Sequence, residues 1–241
     1  MKKRILAVFL ALGMLACLLS ACGGATNQTS KSSDETSASS GQNSVDSEQN
    51  HANEINVGIA QDLDDSLDPY QMTAAGTREV MFNVFEGLVK PDSDGNFVDA
   101  VASEHSVSDD QLTYTFTLRD GVVFHNGAEC TVDDVLYSFE TCAADTVNSA
   151  VAEALSAIVD TKTEGNQISF TLSAPNSDFI SYVSNVYIVP KDYADQATQP
   201  VGTGPFKYVS RSVQENVILE KNADYYGEPA KLDKVTYKIF E

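Results

Sequence analysis

Only the C-terminal part of this chain has a composition that can build a folded core. Residues 23–53 consist mainly of Gly, Ser, Thr, Asn, Gln and Ala; Val45 is their only larger aliphatic residue, and none is aromatic. Such a segment buries too little apolar surface to offset the entropy that it would lose on ordering. We expect 22–53 to be a disordered tether, so the fold must come from 54–241.

The first residues have the pattern of an export signal. Three basic residues at 2–4 precede a weakly polar to apolar run over 5–19, and small residues follow. As a helix, this run would span roughly 22 Å, which is short of the roughly 30 Å hydrocarbon core of a bilayer. We therefore predict a signal peptide over 1–21 rather than a transmembrane anchor.

The end of this signal resembles the lipobox of bacterial lipoproteins. The sequence Leu19-Ser-Ala-Cys22 places a cysteine directly after the small residues. In that class of protein the cysteine is diacylated and becomes the new N-terminus, so the resemblance implies lipidation of Cys22 and a membrane anchor through that lipid. The alternative is an ordinary signal peptide in which Cys22 occurs by chance.

The charge of the chain excludes two classes of partner. The formal net charge is −20, from 15 Lys+Arg against 35 Asp+Glu. Removal of 1–21 would take away three basic and no acidic residues, which leaves 12 against 35, or −23. Nucleic-acid sites need clustered Lys and Arg, and helices that adsorb to anionic lipid need the same residues. We therefore expect neither nucleic acid nor an anionic lipid surface as a partner of the folded part.

The two cysteines of the folded part are not expected to form a disulfide. Cys130 and Cys142 lie at opposite ends of a predicted helix over 131–142, which begins with a capping box at Thr131 and Asp134. Along such a helix the two thiols would be roughly 15–18 Å apart, whereas a disulfide needs Cα atoms within about 7 Å.

The folded part contains an irregular mixture of strand and helix patterns. Residues 112–118 alternate Leu, Tyr, Phe and Leu with three threonines, as a half-buried strand does. The same reasoning predicts strands at 55–59, 158–163, 167–172, 206–211, 216–220 and 233–240, a strand ending at Pro190, and helices from 80 to about 87 and at 131–142, 149–157, 176–184 and 191–196. No fixed-period repeat is present, so we predict an α+β (mixed α/β) fold.

The sequence offers little catalytic or metal-binding chemistry. It contains no GxSxG, HExxH or P-loop motif. His105 and His125 fall in predicted loops without a His or Cys at ligand spacing. Residues 91–95 form a turn rather than a calcium loop, because the remaining ligand positions are missing. We expect no enzyme activity, no metal site and no cofactor.

Seven segments, in order along the chain, carry a family resemblance. They are Ser66-Leu-Asp-Pro-Tyr70, Val84-Phe-Glu-Gly-Leu-Val89, Asp109-Asp-Gln-Leu-Thr-Tyr-Thr-Phe-Thr-Leu-Arg-Asp-Gly121, Val123-Phe-His-Asn-Gly127, Thr131-Val-Asp-Asp-Val135, Val201-Gly-Thr-Gly-Pro-Phe206 and Leu219-Glu-Lys-Asn222 with Asp224-Tyr-Tyr-Gly227. Together they resemble the extracellular solute-binding protein family 5, the oligopeptide, dipeptide and nickel binding proteins of ABC importers. The resemblance covers about 54–241. It departs from the family pattern at Ala223 and Tyr226, where the family has Pro and Trp.

The resemblance implies a periplasmic-binding-protein-like fold of type II. The ligand would lie between two hinged lobes, and the closed monomer would dock on permease subunits. Residues 54–77 and 173–241 would form the ligand-side subdomain of the first lobe, and 78–172 the extra subdomain of this family. The protein would work in the periplasm or on the extracellular face of the membrane.

Length is the main departure from the family. Its members are much longer than 241 residues, so the second lobe would lie after Glu241 and is absent here. The chain is therefore read either as a fragment or truncated product, or as one half of a clamp whose other half is supplied separately.

The ligand contacts implied by the resemblance lie in two loops. In the family, the loop after the Asp-Pro motif approaches the ligand through strand-like backbone contacts, which here points to Thr73, Ala74, Ala75 and Gly76. The alternative is an ordinary helix-entry loop capped by Gly76 or Thr77. A second candidate is the loop around Asn148 and Ser149.

We therefore predict a substrate-binding lipoprotein that captures oligopeptides or dipeptides for an ABC importer. One alternative within the family is a protein that binds nickel or a metal chelate. Another is a truncated lobe that no longer transports and acts as a surface interaction protein or has no function.

Overall fold

Ten strands and four helices make up the described part of the protein. The computed structural model describes residues 53–145 and 147–240. The predicted signal peptide, Cys22 and the tether up to residue 52 lie outside these residues. In chain order the elements are β1 (Glu54–Ile59), α1 (Ala75–Met81), β2 (Val89–Pro91), β3 (Phe97–Asp99), β4 (Ala102–Val107), β5 (Thr113–Leu118), α2 (Val132–Ala143), α3 (Ser149–Leu155), β6 (Ile158–Glu164), β7 (Gln167–Leu172), α4 (Phe179–Val183), β8 (Phe206–Ser212), β9 (Asn216–Lys221) and β10 (Lys234–Ile239).

The first sheet joins the two ends of the described chain. Its order is β1-β10-β9-β8, with β1 parallel to β10 and the other pairs antiparallel. Val57 lies opposite Tyr237, and Leu219, opposite Val235, is fully buried. The strands predicted at 55–59, 206–211, 216–220 and 233–240 are confirmed as members of this sheet.

The second sheet is antiparallel and comes from the middle of the chain. Its order is β4-β5-β7-β6. In β5 the side chains of Tyr114, Phe116 and Leu118 are buried, while the alternating threonines face outward. On that outer face the Thr115 hydroxyl lies 2.9 Å from the hydroxyl of Ser169. The alternation therefore predicted both the strand and its buried face.

Helix α2 covers the buried face of the second sheet. Its Phe139 ring stacks on Phe170 of β7 with 4.4 Å between ring centroids. Cys130 and Cys142, at either end of the helix, are free and buried. Burial raises the pKa of the Cys142 thiol to about 12, so this thiol stays protonated and behaves as an apolar core group.

Strands β2 and β3 form a short hairpin, and its turn is the one predicted from the sequence. Asp92 accepts hydrogen bonds from the backbone N–H groups of Asp94 and Asn96, and Gly95 takes a φ of 82°. The carboxylate is thus used by the turn itself, which confirms turn chemistry at 91–95.

Several boundaries differ from the sequence predictions. Helix α1 covers 75–81 and not 80–87. The segment 186–190 is largely buried but is not a strand, because it makes only single hydrogen bonds to neighbours on either side, such as Ile188 N to Glu86 O at 2.9 Å. Residues 191–196 form turns and not a helix. Strand β4 was not predicted, and His105 lies on it rather than in a loop.

Within 53–145 and 147–240, no helix has both the length and the apolar character needed to cross a bilayer.

Candidate functional site

The first candidate loop lies between β1 and α1. Thr73, Ala75 and Gly76 are exposed, and Ala74 is half-buried. Ala74 is the N-cap of α1 and has an extended backbone, with φ −77° and ψ 136°. The helix-entry alternative placed the cap at Gly76 or Thr77; the structure places it at Ala74, which has no side chain able to cap.

The carboxylate of Asp64 holds this loop. It accepts hydrogen bonds from the N–H groups of Thr73 (2.8 Å) and Ala74 (2.9 Å) and from the Thr73 hydroxyl (3.0 Å). Partial burial acts to raise the pKa of Asp64, but the Ala74 and Thr73 donors outweigh it and hold that pKa below its usual value. The negative charge on Asp64 is therefore stabilised by the loop that it orders.

Arg211 of β8 braces the segment that carries Asp64. Its guanidinium donates to the carbonyl oxygens of Leu63 (2.7 Å) and Asp64 (2.6 Å) and lies 3.0 Å from the Asp62 carboxylate. The Arg211 side chain is only 10% exposed, so these contacts are largely shielded from water. The first sheet thus fixes the position of the loop before α1.

Two backbone groups of the loop remain open. Among the described residues, neither the Thr73 carbonyl nor the Ala75 N–H has a hydrogen-bond partner. They flank the extended Ala74. In a parallel strand pair, the carbonyl before a residue and the N–H after it bond to one residue of the neighbouring strand. The loop can therefore pair with one residue of an extended peptide, accepting from its N–H and donating to its carbonyl.

The second candidate segment forms the start of α3. Asn148 is the half-buried N-cap, and Ser149 is exposed. Asp145 accepts from the N–H of Asn148 at 3.2 Å. Burial raises the pKa of Asp68, in the loop before α1, and the nearby charge of Asp145 raises it further. No hydrogen bond in the described residues links Asn148 or Ser149 to 73–76.

A buried carboxylate that the sequence analysis missed lies at Glu86. It accepts hydrogen bonds from the Lys90 ammonium (2.6 Å) and the Tyr225 hydroxyl (2.8 Å), and also from the Tyr226 hydroxyl. The only sequence signal was Lys90 four residues after Glu86, a common helical spacing that here spans a turn and a strand. The three donors come from different parts of the chain, so this cluster joins those parts to one another.

His125 holds a glycine-containing turn. Its Nε2 donates to the Gly204 carbonyl at 2.9 Å, and the Gly202 N–H donates to its Nδ1 at 3.3 Å. Burial lowers the pKa of His125 to about 4, so the ring is neutral at physiological pH. Both ring nitrogens are used, which leaves none for a metal or a proton transfer.

The glycines of this turn allow close packing on the end of the segment after α1. A Cβ at Gly202 would lie 2.2 Å from the Val84 carbonyl oxygen, and one at Gly204 would lie 2.5 Å from that of Asn83. The turn is therefore a packing element, as expected for a backbone bend before β8. Across 53–145 and 147–240, no group of three or more His, Cys, Asp or Glu side chains is placed to hold a metal ion.

A family profile and several known binding proteins match this chain. A family profile described as bacterial extracellular solute-binding proteins, family 5 Middle, matches residues 96–241. The glutathione-binding protein GsiB of Pectobacterium atrosepticum is 30% identical over 185 residues, which cover 72% of this chain and 35% of GsiB. The nickel-binding periplasmic protein of Escherichia coli is 27% identical over 166 residues, covering 65% of this chain and 32% of that protein.

A solved structure has the same fold. The ABC transporter-associated periplasmic binding protein DppA from Helicobacter pylori, in complex with peptide STSA, matches with a TM-score of 0.68 and 30% identity, covering 78% of this chain and 43% of DppA. The predicted fold class is confirmed, since the neighbours are periplasmic binding proteins of type II. This chain spans about a third of the length of its curated relatives, which fits an N-terminal lobe. The chain belongs to the bacterial extracellular solute-binding proteins of family 5.

Proposed function

We propose that this protein captures oligopeptides or dipeptides outside the membrane and delivers them to the permease of an ABC importer. The observation that carries the proposal is the open pair of backbone groups at Thr73 and Ala75 on either side of the extended Ala74. Every residue of a peptide except proline offers the matching donor and acceptor, so this contact is largely independent of side-chain sequence. The bound peptide STSA of the related DppA supports this ligand class.

Three further residues complete the proposed binding surface. Gly76 lies beside Ala75 in the first turn of α1 and leaves space beside the backbone, since a Cβ there would meet nothing within 4 Å. Asn148 and Ser149 would contribute polar contacts from the start of α3. A second lobe would cover the ligand from the other side, because a clamp gains affinity by burying its ligand on both faces.

The two sheets support the proposed division of the lobe. The strands of the first sheet all lie within 54–77 and 173–241, the proposed ligand-side subdomain, and those of the second sheet lie within 78–172, the proposed extra subdomain.

The proposed location is outside the cell membrane or in the periplasm, with a lipid on Cys22 as the anchor. The resemblance of Leu19–Cys22 to a lipobox and the family of the chain support it. A monomer with a charge of −23 would stand off an anionic membrane surface, which leaves its binding face accessible.

The second candidate function is capture of nickel as a chelate. The E. coli nickel-binding relative favours it. The described residues provide no cluster of metal ligands, so the donors would have to come from the chelating molecule itself.

Calorimetric titration with three probes tests these alternatives. The protein, together with any continuation encoded after codon 241, is titrated with the peptide STSA, glutathione and a nickel–histidine complex. We expect STSA to bind, and binding of only the nickel complex would favour the second candidate. Binding of none of the three would contradict both and favour a surface protein that does not transport.

A variant pair tests the backbone contact directly. Ala75→Pro removes the Ala75 N–H, yet it suits the first position of a helix and the extended Ala74 before it. We expect about tenfold weaker binding of STSA, the loss of one hydrogen bond. The control Glu79→Ala, at an exposed position later in the same helix, should bind STSA as the wild type does. Unchanged affinity in Ala75→Pro would exclude this contact.

A further inference from the structure

The carboxylate and the backbone N–H of Asp64 make four hydrogen bonds to the loop and to the helix that follows it. Its carboxylate accepts from Thr73 N, Thr73 Oγ1 and Ala74 N, and its own N–H donates to the Thr77 hydroxyl at 2.8 Å. Thr77 is buried in α1, so Asp64 is tied both to the loop and to the helix that follows it.

Asp64 binds one backbone edge of Ala74, and the unpaired Thr73 carbonyl and Ala75 N–H lie on the opposite edge. In an extended residue, its own N–H points to one edge, while the preceding carbonyl and the following N–H point to the other. Asp64 takes the N–H of Ala74. The opposite edge, with the Thr73 carbonyl and the Ala75 N–H, is the one left for pairing.

The brace on Asp64 makes this arrangement rigid. Arg211 donates to the carbonyls of Leu63 and Asp64 and pairs with Asp62. These contacts hold the backbone from which the Asp64 side chain extends, so the loop adopts the conformation that the Asp64 carboxylate imposes. Affinity then loses less to ordering of the loop on binding.

We propose that Asp64 is a positioning residue of the binding site. It holds Ala74 extended and directs one edge of the backbone toward the ligand, without touching the ligand. This inference rests on the proposed function, because it takes Thr73 and Ala75 as peptide contacts. The Asp64 carboxylate also accepts from the N–H groups of Thr73 and Ala74, so these two donors are not available to a ligand. The loop therefore presents one donor and one acceptor, and not a group of N–H donors that could bind an anion.

Amide hydrogen exchange on the free protein tests the positioning role. In Asp64→Ala we expect exchange at Thr73 and Ala74 to become at least about tenfold faster, because two charge-assisted hydrogen bonds are lost. Asp64→Asn keeps one acceptor oxygen, so its exchange rates at Thr73 and Ala74 should lie between those of the wild type and of Asp64→Ala. The matched control is Asp92→Ala, which removes a carboxylate from the hairpin turn at 92–96 and should leave exchange at 73–74 unchanged.

Binding of the peptide STSA to the same variants tests the link to function. We expect about tenfold weaker binding in Asp64→Ala and wild-type binding in Asp92→Ala. Unchanged exchange at Thr73 and Ala74 in Asp64→Ala would overturn the positioning role itself. Faster exchange with unchanged STSA affinity would instead overturn the assignment of 73–75 to the binding site, and with it the role of Asp64 in binding.

Discussion

His125 can hold the turn at 202–204 only while its ring is neutral. Nδ1 accepts from the Gly202 N–H, and Nε2 carries the proton donated to the Gly204 carbonyl. A second proton on the ring would sit on Nδ1 and face the Gly202 N–H. Burial adds to this cost because the charged ring would lose its hydration, so protonation and the folded state oppose each other.

The first prediction is a dependence of stability on pH that belongs to His125. The pKa is about 4 when folded, against an ordinary value of 6.5. Between these values the unfolded chain binds more protons, so the free energy of unfolding should rise with pH from about 4 to 6.5 and then level off. The total effect is about 3 kcal/mol.

Urea unfolding between pH 4.5 and 7.5 measures this effect. His125→Gln should be less stable than the wild type but should lose this part of the pH dependence. His105→Gln, on β4, keeps His125 and serves as the control. An equal slope in the wild type and His125→Gln would assign the dependence to other groups.

Residue types on loops were predictable, but their partners were not. The sequence placed Thr73–Gly76 on a loop before a helix, and the structure has Thr73 and Ala74 there but Ala75 and Gly76 in the first turn of α1. It gave no sign that Asp64 would hold them, because a hydrogen bond between residues nine or ten apart has no periodic signal. His125 shows the same limit, since its partners lie 77 and 79 residues away.

Helix α2 is anchored at its first turn by Asp134. The carboxylate accepts from the N–H of Thr131 at 2.8 Å and from the N–H of Lys191 at 3.0 Å, and the side chain is 6% exposed. One residue thus caps the helix and attaches it to the segment after Pro190. The capping pattern in the sequence predicted the first contact but not the second.

The second prediction compares two neighbouring acids of this turn. Asp134→Ala should lower the free energy of unfolding by about 3 kcal/mol, because buried N–H groups lose a charged acceptor. Asp133→Ala should cost less than about 1 kcal/mol, since Asp133 is 67% exposed and makes only a surface ion pair with Lys191. Denaturant unfolding of both variants measures the difference, and similar losses would disprove the anchoring role.

Helices and strands with a clear hydrophobic period were predictable from the sequence. The bounds of α1 were not, and the structure shows why. Val84, Phe85 and Leu88 have helical spacing and are buried, yet they follow the helix. The carbonyls of Asn83 and Val84 accept from the N–H groups of Phe206 and Gly204, at 3.1 and 2.9 Å. These carbonyls would have bonded within a continued helix, so the packing of a distant turn ends α1.

At the scale of the whole molecule, Glu86 joins parts of the chain that are far apart in sequence. Lys90 comes from β2, and Tyr225 and Tyr226 follow β9. The guanidinium of Arg119, just after β5, lies 5.3 Å from the centroid of the Tyr226 ring. The cluster therefore links β2 to residues that follow one strand of each four-stranded sheet.

The third prediction is that this link matters for global stability. Glu86→Ala should lower the free energy of unfolding by about 3–5 kcal/mol, because it leaves Lys90 and two tyrosine hydroxyls without their acceptor. Glu79→Ala, at an exposed position of α1, should change it by less than about 0.5 kcal/mol. Thermal and urea unfolding followed by circular dichroism compare the two. A loss below 1 kcal/mol in Glu86→Ala would show that the cluster contributes little.

The pairing of β1 with β10 has a consequence for biosynthesis. In the part of the chain that the structure describes, β1 pairs with β10 alone, and Glu54 lies opposite Lys234. A ribosome therefore releases the first strand long before it makes the partner of that strand. Until then the first sheet lacks its β1–β10 pair, whereas all strands of the second sheet have already been made. For the export that the sequence predicts, this order of synthesis delays completion of the first sheet, and a chain that is not fully folded passes through a narrow secretion channel more easily.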